Sequence, residues 1–257
     1  MAWSACQTDG VRAPRLIPRV RLAALLLPAL LVPALLAGCS GGGDEETTDP
    51  DAAATRLSAA AAELGSAERL DFSLSLDGKL PSGVKGLESA TGFGNRTPAF
   101  DGDVKIATGG TSLTAEVIAV DGQVWAKTSF SPDFFTIDPA EFGAPDPAVL
   151  IGGTDAGIAS LLDQVDVGKA TQERDGKLVL TAISGTVPGD LVAALIPSAD
   201  AGSDFDVVVR LTEDDQIHDV TLTGGFYPDT DDVTYVVTVS ASSKSPTIEA
   251  PVRTGGA

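Results

Sequence analysis

Apolar and polar residues alternate with a period of two along much of the chain. Phe72, Leu74 and Leu76 are separated by Ser73 and Ser75, the pattern of a half-buried strand. Val104 and Ile106 begin another, and Leu113, Ala115 and Val117 alternate with Thr114 and Glu116. Asp121-Gly122, between "SLTAEVIAV" and "QVWAKT", is the dipeptide of a primed two-residue hairpin turn. Asp175-Gly176, flanked by "DVGKATQE" and "GKLVLTAIS", is a second such signal. Phe205, Val207, Val209 and Leu211 alternate again, and "HDVTLTG" and "VTYVVTVS" read as the last strands. Helical spacing replaces this in three places. Residues 52–70 carry Leu57, Ala61 and Leu64 on one face, with Thr48 or Asp51 as the expected N-cap. "DAGIASLLDQV" reads as a helix from Thr154 or Asp155, and "PGDLVAALI" as one that opens at Pro188 and closes before Pro197. "GKLPSGVKGLESATGFGNRTPAF" reads as a long connection or a broken strand pair. Residues 133–155, with Pro139, Pro145 and Pro147, read as irregular with short helical turns.

Strands joined by tight turns build an antiparallel sheet, and helices in only a few places make the class α+β. Several strands carry small or apolar residues on one face. A strongly curved sheet with few helices over it leaves room for a cavity.

The first 38 residues follow different rules. Arg12, Arg15, Arg19 and Arg21 precede an apolar run of about 16 residues, from Leu22 to Ala37. That is the length of a signal-peptide core and short for a membrane span, and Pro28 and Pro33 weaken a permanent helix further. The run ends in Leu36-Ala37-Gly38-Cys39, small residues before a cysteine in the spacing of a bacterial lipobox. The competing reading is an ordinary secretory signal with a chance cysteine. The expected organisation is a lipoprotein signal over 1–38, a lipidated flexible tether over 39–51, one domain over 52–250 and a frayed tail over 251–257. Residues 40–51 contain no strongly apolar side chain, which suits a tether. Cys6 leaves with the signal and Cys39 is blocked by lipid, so no disulfide is expected. From Cys39 onward 219 residues remain, enough for one sizeable core.

Charge narrows the partners. Residues 1–38 hold four arginines and Asp9, a net of +3, so the remainder carries −22 against −19 for the whole chain. Such a surface repels nucleic acid and anionic headgroups at long range. No nucleic-acid partner is expected, whereas a lipid held by internal apolar contacts is compatible with it.

The catalytic inventory is thin. The single histidine, His218, precedes Asp219 in "QIHDV". Neighbours along a regular strand point to opposite faces, so no dyad is expected and His218 reads as a surface or packing residue. There is no G-x-S-x-G elbow. Lys79, Lys169 and Lys177 each follow a glycine, but Leu80, Ala170 and Leu178 come next, so no P-loop ending exists. Zinc-type His/Cys clusters are missing. The acidic runs at Asp229, Asp231 and Asp232 and at Glu213, Asp214 and Asp215 lack the glycine and late glutamate of a calcium loop and read as turn residues. No catalytic residue, metal or cofactor is expected, and binding is what remains.

Several stretches in order resemble the actinobacterial LprG/LppX/LprA/LprF lipoprotein family, with LprG the nearest branch. They are "LAGCSGG", "DFSLSLDGKLPSGVKGLESATG", "DGDVKIATGG", "VIAVDGQVWAKTSFSPDFFTIDPAEFGAPDPAVLI" with "ASLLDQV", "RDGKLVLTAISGTVPGDLVAALIPSA" and "LTGGFYPDTDDVTYVVTVS". The resemblance implies a half-barrel of antiparallel strands with helices over its concave side and a large apolar cavity between them. It implies a non-enzymatic carrier of acylated glycolipids or lipoglycans. The carrier would be anchored through Cys39 on the extracytoplasmic face of the plasma membrane, and some such carriers work with a major-facilitator exporter. Val104 in "GDVKIATGG" matches a pocket-lining position of the family. Leu74, Leu76, Val104, Ile106, Leu113, Ala115 and Val117 are the expected lipid-binding residues, against the plainer reading that they are core. The alternative function is a structural or exporter-modulating envelope lipoprotein without bound lipid, its concavity filled by side chains such as Phe72, Trp125 and Phe205.

Overall fold

The computed structural model describes residues 47–108, 110–152, 157–244 and 247–251. They belong to one compact unit, Asp44–Ala257, which carries its own core and the whole sheet. Cys39, the signal segment and most of the expected tether and tail lie outside the described residues.

The chain enters through a two-residue strand, β1 (Thr47–Thr48), and helix α1 (Pro50–Ser66). The N-cap is Asp49, not Thr48 or Asp51. Its carboxylate accepts from the amide of Asp51, and Pro50 occupies the first turn, where its missing N–H costs nothing. Ala53, Leu57, Ala60, Ala61 and Leu64 make the buried face. The helix ends four residues before the expected Leu70, because Leu70 pairs with Gly94 and Ala241 as part of strand β2 (Arg69–Asp77).

A meander follows: β3 (Gly86–Asn95), β4 (Ala99–Thr108), β5 (Thr111–Val120), β6 (Gln123–Thr128) and β7 (Ser131–Ile137). Asp121 and Gly122 form the β5–β6 turn with positive φ at both positions, as a primed turn requires. Of the two readings of the Gly/Pro-rich stretch from Gly78, the broken strand pair is the nearer: it holds all of β3 and the start of β4, with a register shift after Leu87. The start of the region expected to be irregular is instead an edge strand, β7. Gly92 and Gly94 look like breakers but are required. A side chain at Gly92 would strike the Phe100 ring and the backbone of Gly102, and one at Gly94 would strike Ile151.

Beyond β7 come a 3-10 turn (Pro139–Phe142) and two short helices, α2 (Pro147–Ile151) and α3 (Gly157–Asp163). The expected start of α3 at Thr154 or Asp155 lies outside the described residues. β8 (Asp166–Asp175) and β9 (Leu178–Val187) form the second hairpin, with Gly176 and Lys177 as its loop, one residue later than expected. α4 (Gly189–Leu195) follows Pro188, then β10 (Phe205–Leu211), β11 (Ile217–Gly224) and β12 (Val233–Ser242).

The twelve strands among the described residues join one antiparallel sheet in the order β1-β8-β9-β10-β11-β12-β2-β3-β4-β5-β6-β7. The sheet curves without closing, and the helices cover its concave side: α1 packs on α3, β8 and β12, and α2 on β3, β4 and β5. This is the expected α+β half-barrel. Arg56 of α1 holds the helix to the sheet, donating to Thr181 of β9 at 3.0 Å and pairing with Asp215 in the β10–β11 turn. Trp125 lies on the other face of β6, packed with Ala99, Val120 and Ile248.

The expectation that His218 and Asp219 point to opposite faces is overturned, while His218 remains a half-buried packing residue. Arg210 opposes Asp219 but Leu211 opposes Ile217, so His218 is an extra residue in a bulge. A bulge brings two successive side chains to one side. His218 Nδ1 therefore lies 2.6 Å from Asp219 Oδ2, and Arg210 binds both oxygens of this buried carboxylate. Glu173 extends the network from β8. The group ties β8, β10 and β11 together and touches neither apolar space described below.

Candidate functional site: two adjoining apolar spaces

Alternation decides which side chains look inward. Cross-strand partners lie on the same face of a sheet, so the register row Leu74–Ala90–Val104–Ala115 and the row Phe72–Gly92–Gly102–Val117 both face the helices. These rows are mostly small. Side chains this small leave part of the volume beneath the helices unfilled, and two narrow spaces remain there.

The larger space measures about 860 Å³ out to its solvent-open mouth. Val104, Ile106, Leu113, Ala115 and Val117 line it, five of the expected residues. Its far wall is Ile137 at the end of β7 and the segment that follows, with Phe142, Pro145, Pro147 and Leu150. Among the described residues, Thr128 is the only lining residue with a polar side chain. Phe135 stands at the mouth, lining the space while 43 % exposed.

The second space measures about 690 Å³ on the same basis. Leu74 belongs here, with Ile158 and Leu161 of α3, Val192 and Leu195 of α4, Leu222 and Val237 of the sheet, and Phe226 just after β11. Phe72, Leu87, Pro145 and Leu150 line both spaces, so they form the partition. Leu76 lines neither; it packs half-buried against the core two residues farther along β2. Of the three large side chains that would fill a packed concavity, Phe72 stands in this partition. Trp125 faces the opposite side of the sheet, and Phe205 is buried edge-on to Phe226 at 4.9 Å, over Gly224.

One polar device borders the second space. A bulge at Glu88 shifts the β3–β4 register, leaving the Leu87 peptide to be satisfied from elsewhere. The chain's two tyrosines do this. The Leu87 amide donates to Tyr227 Oη at 3.1 Å, and Tyr235 Oη donates to the Leu87 carbonyl at 2.5 Å. With its proton committed there, Tyr235 must accept the 2.8 Å bond from Tyr227. The ring of bonds is closed, and no hydroxyl is left pointing into the apolar space. Burial pushes both phenols above their ordinary value. Glu88 itself turns outward to Ser112 and Lys105, whose interactions hold its carboxyl below the usual range.

Sequence reasoning did not anticipate the far wall of the larger space or the tyrosine pair. The wall had a signal: three prolines interleaved with Ile137, Phe142 and Leu150, a loop too apolar to lie in water.

A curved, unclosed antiparallel sheet whose concave face and overlying helices enclose apolar space defines a half-barrel α+β protein. The chain belongs to the LppX_LprAFG lipoprotein family, whose model matches residues 51–247. Among solved structures it resembles LprF from Mycobacterium bovis, with a TM-score of 0.61 at 15% identity over 80% of this chain and 99% of that one. It also resembles the lipoprotein LppX of Mycobacterium tuberculosis, with a TM-score of 0.51 at 18% identity over 79% of this chain and 100% of that one. At these identities the likeness is one of fold. No curated protein sequence matches the chain.

Proposed function

We propose that this lipoprotein is a membrane-anchored carrier. It holds the acyl chains of a glycolipid or lipoglycan in its apolar interior and helps move the lipid from the plasma membrane into the cell envelope. It acts by binding, not by catalysis. The observation that carries this reading is the larger space, an almost wholly apolar concavity open at a mouth. An apolar lining of this kind suits an acyl chain, because each buried CH₂ contributes roughly 0.8 kcal/mol. The sugar headgroup stays outside, where water satisfies it.

In this reading residues 1–38 are the lipoprotein signal and Cys39 carries the anchor on the extracytoplasmic face. Residues 39–51 lead to the lipid-binding domain over 52–250, and 251–257 form the tail. Val104, Ile106, Leu113, Ala115 and Val117 contact acyl chain in the larger space and Leu74 in the smaller. Leu76, on the same face of β2 but beyond the smaller space, packs against the core and contacts no acyl chain in this reading. A major-facilitator exporter is the proposed protein partner.

The test is extraction and mass spectrometry of lipid that co-purifies with Asp44–Ala257 from an actinobacterial host, as wild type and as Val104→Trp. The indole would occupy space between Ala90 and Ala115 that the ligand needs. Stoichiometric acylated glycolipid in the wild type, lost from the folded variant, is the expected result. Absence of lipid from both would favour an envelope scaffold or exporter modulator.

A further inference from the structure

The tip of the β6–β7 hairpin presents an aromatic side chain to water. Phe130 is 86 % exposed, the most exposed large apolar residue among those described. A lone exposed phenylalanine is ordinary. Its place is not. Thr128, two residues before it, and Phe135, five after it, both line the larger apolar space, and Phe135 is itself at the mouth. Two residues reach at most about 7 Å, so Phe130 sits on the rim.

The tip is also built to leave water. Thr128 Oγ1 accepts from the amides of Phe130 and Ser131 at 3.3 and 3.2 Å, and Ser131 Oγ donates to the Asp133 carbonyl. Backbone groups satisfied within the turn lower the cost of entering an apolar medium. From Thr128 to Pro132 there is no charged residue, in a chain of net charge −19. The flanking Lys127 is paired with Glu116 at 3.0 Å. An acidic protein approaches a bilayer against electrostatic resistance, so an uncharged aromatic tip is the part suited to touch it.

We infer that the tip over residues 129–132 is a bilayer-contacting surface. Phe130 enters the headgroup–acyl boundary and sets the mouth at Phe135 against the leaflet, so that acyl chains pass into the interior without crossing water. This rests on the carrier reading and adds where the carrier meets the membrane.

The experiment uses Asp44–Ala257, phosphatidylcholine vesicles and two variants. F130W is mixed with vesicles bearing brominated acyl chains, with the wild-type signal from buried Trp125 subtracted. F130D is compared with wild type for uptake of a fluorescent diacyl lipid from vesicles and for binding of a short-chain diacyl phospholipid supplied as monomers. The expected result is quenching of F130W, vesicle uptake by F130D slower by about tenfold, and unchanged monomer binding. Absence of quenching, or wild-type uptake by F130D, overturns the inference while leaving the carrier reading standing. If the wild type binds lipid in neither format, the carrier reading itself fails and the inference falls with it.

Discussion

Gly92 and Gly102 face each other as a register pair across β3 and β4, and the ring of Phe100 lies over both. A Cβ on either glycine would come within 2.7 Å of the ring tip. Gly92→Ala is therefore expected to destabilise the protein by about 2 kcal/mol, the range of core overpacking. Gly168→Ala is the control: its nearest neighbour would be the Ser184 carbonyl at 3.6 Å, an ordinary contact. It should stay within about 0.5 kcal/mol of wild type. Urea unfolding of both variants decides the matter, and equal stabilities would refute the packing argument.

Phe72 separates the two apolar spaces. Phe72→Ala should lower stability by roughly 3 kcal/mol and merge the spaces. On the carrier reading, lipid extracted from the variant should carry more acyl carbon per protein than lipid from wild type. An unchanged lipid profile with the expected loss of stability would mean that the partition does not limit the cargo.

The tyrosine ring predicts an asymmetry between two conservative variants. Tyr235→Phe leaves the Leu87 carbonyl without its donor and Tyr227 without its acceptor. Tyr227→Phe leaves the Leu87 amide unpaired. Each unsatisfied buried group costs about 1–3 kcal/mol, so Tyr235→Phe should be the more damaging by chemical denaturation.

The same pair sets a pH dependence. Both phenols are protonated in the folded and unfolded states at neutral pH, so their contribution is fully present there. Above about pH 10 the unfolded chain ionises its tyrosines while burial keeps the folded ones neutral. Stability should then fall with rising pH, by up to about 1.4 kcal/mol per pH unit for each tyrosine. Denaturant midpoints between neutral pH and pH about 11, with phenolate absorbance followed in parallel, check this. Phenolate appearing before unfolding would contradict the burial.

Strands that alternate cleanly, such as β5 and β10, could be read directly from the sequence, because alternation and burial report the same geometry. β3 could not. Its glycines lower strand propensity, and the reason they are tolerated is the Phe100 ring and Ile151, which arrive from elsewhere in the fold. His218 and Asp219 misled for a related reason: parity along a strand holds only until a bulge adds a residue. In the site, alternation identified Val104, Ile106, Leu113, Ala115 and Val117 as sharing a face. It could not separate Leu74 from Leu76, because their difference lies in where α3 and α4 end above the sheet. Prolines hid the far wall, since a loop without period gives no face to read.

The sheet ends at β1 on one side and β7 on the other. In a closed barrel, strand number and stagger fix the radius. An unclosed sheet has no circumference to conserve, and here no seam of hydrogen bonds sets how tightly it coils. The gauge of the interior is left to the side chains on the concave rows and to the prolines facing them. Divergence there alone could retune the bore for a different cargo while every strand pairing stays as it is.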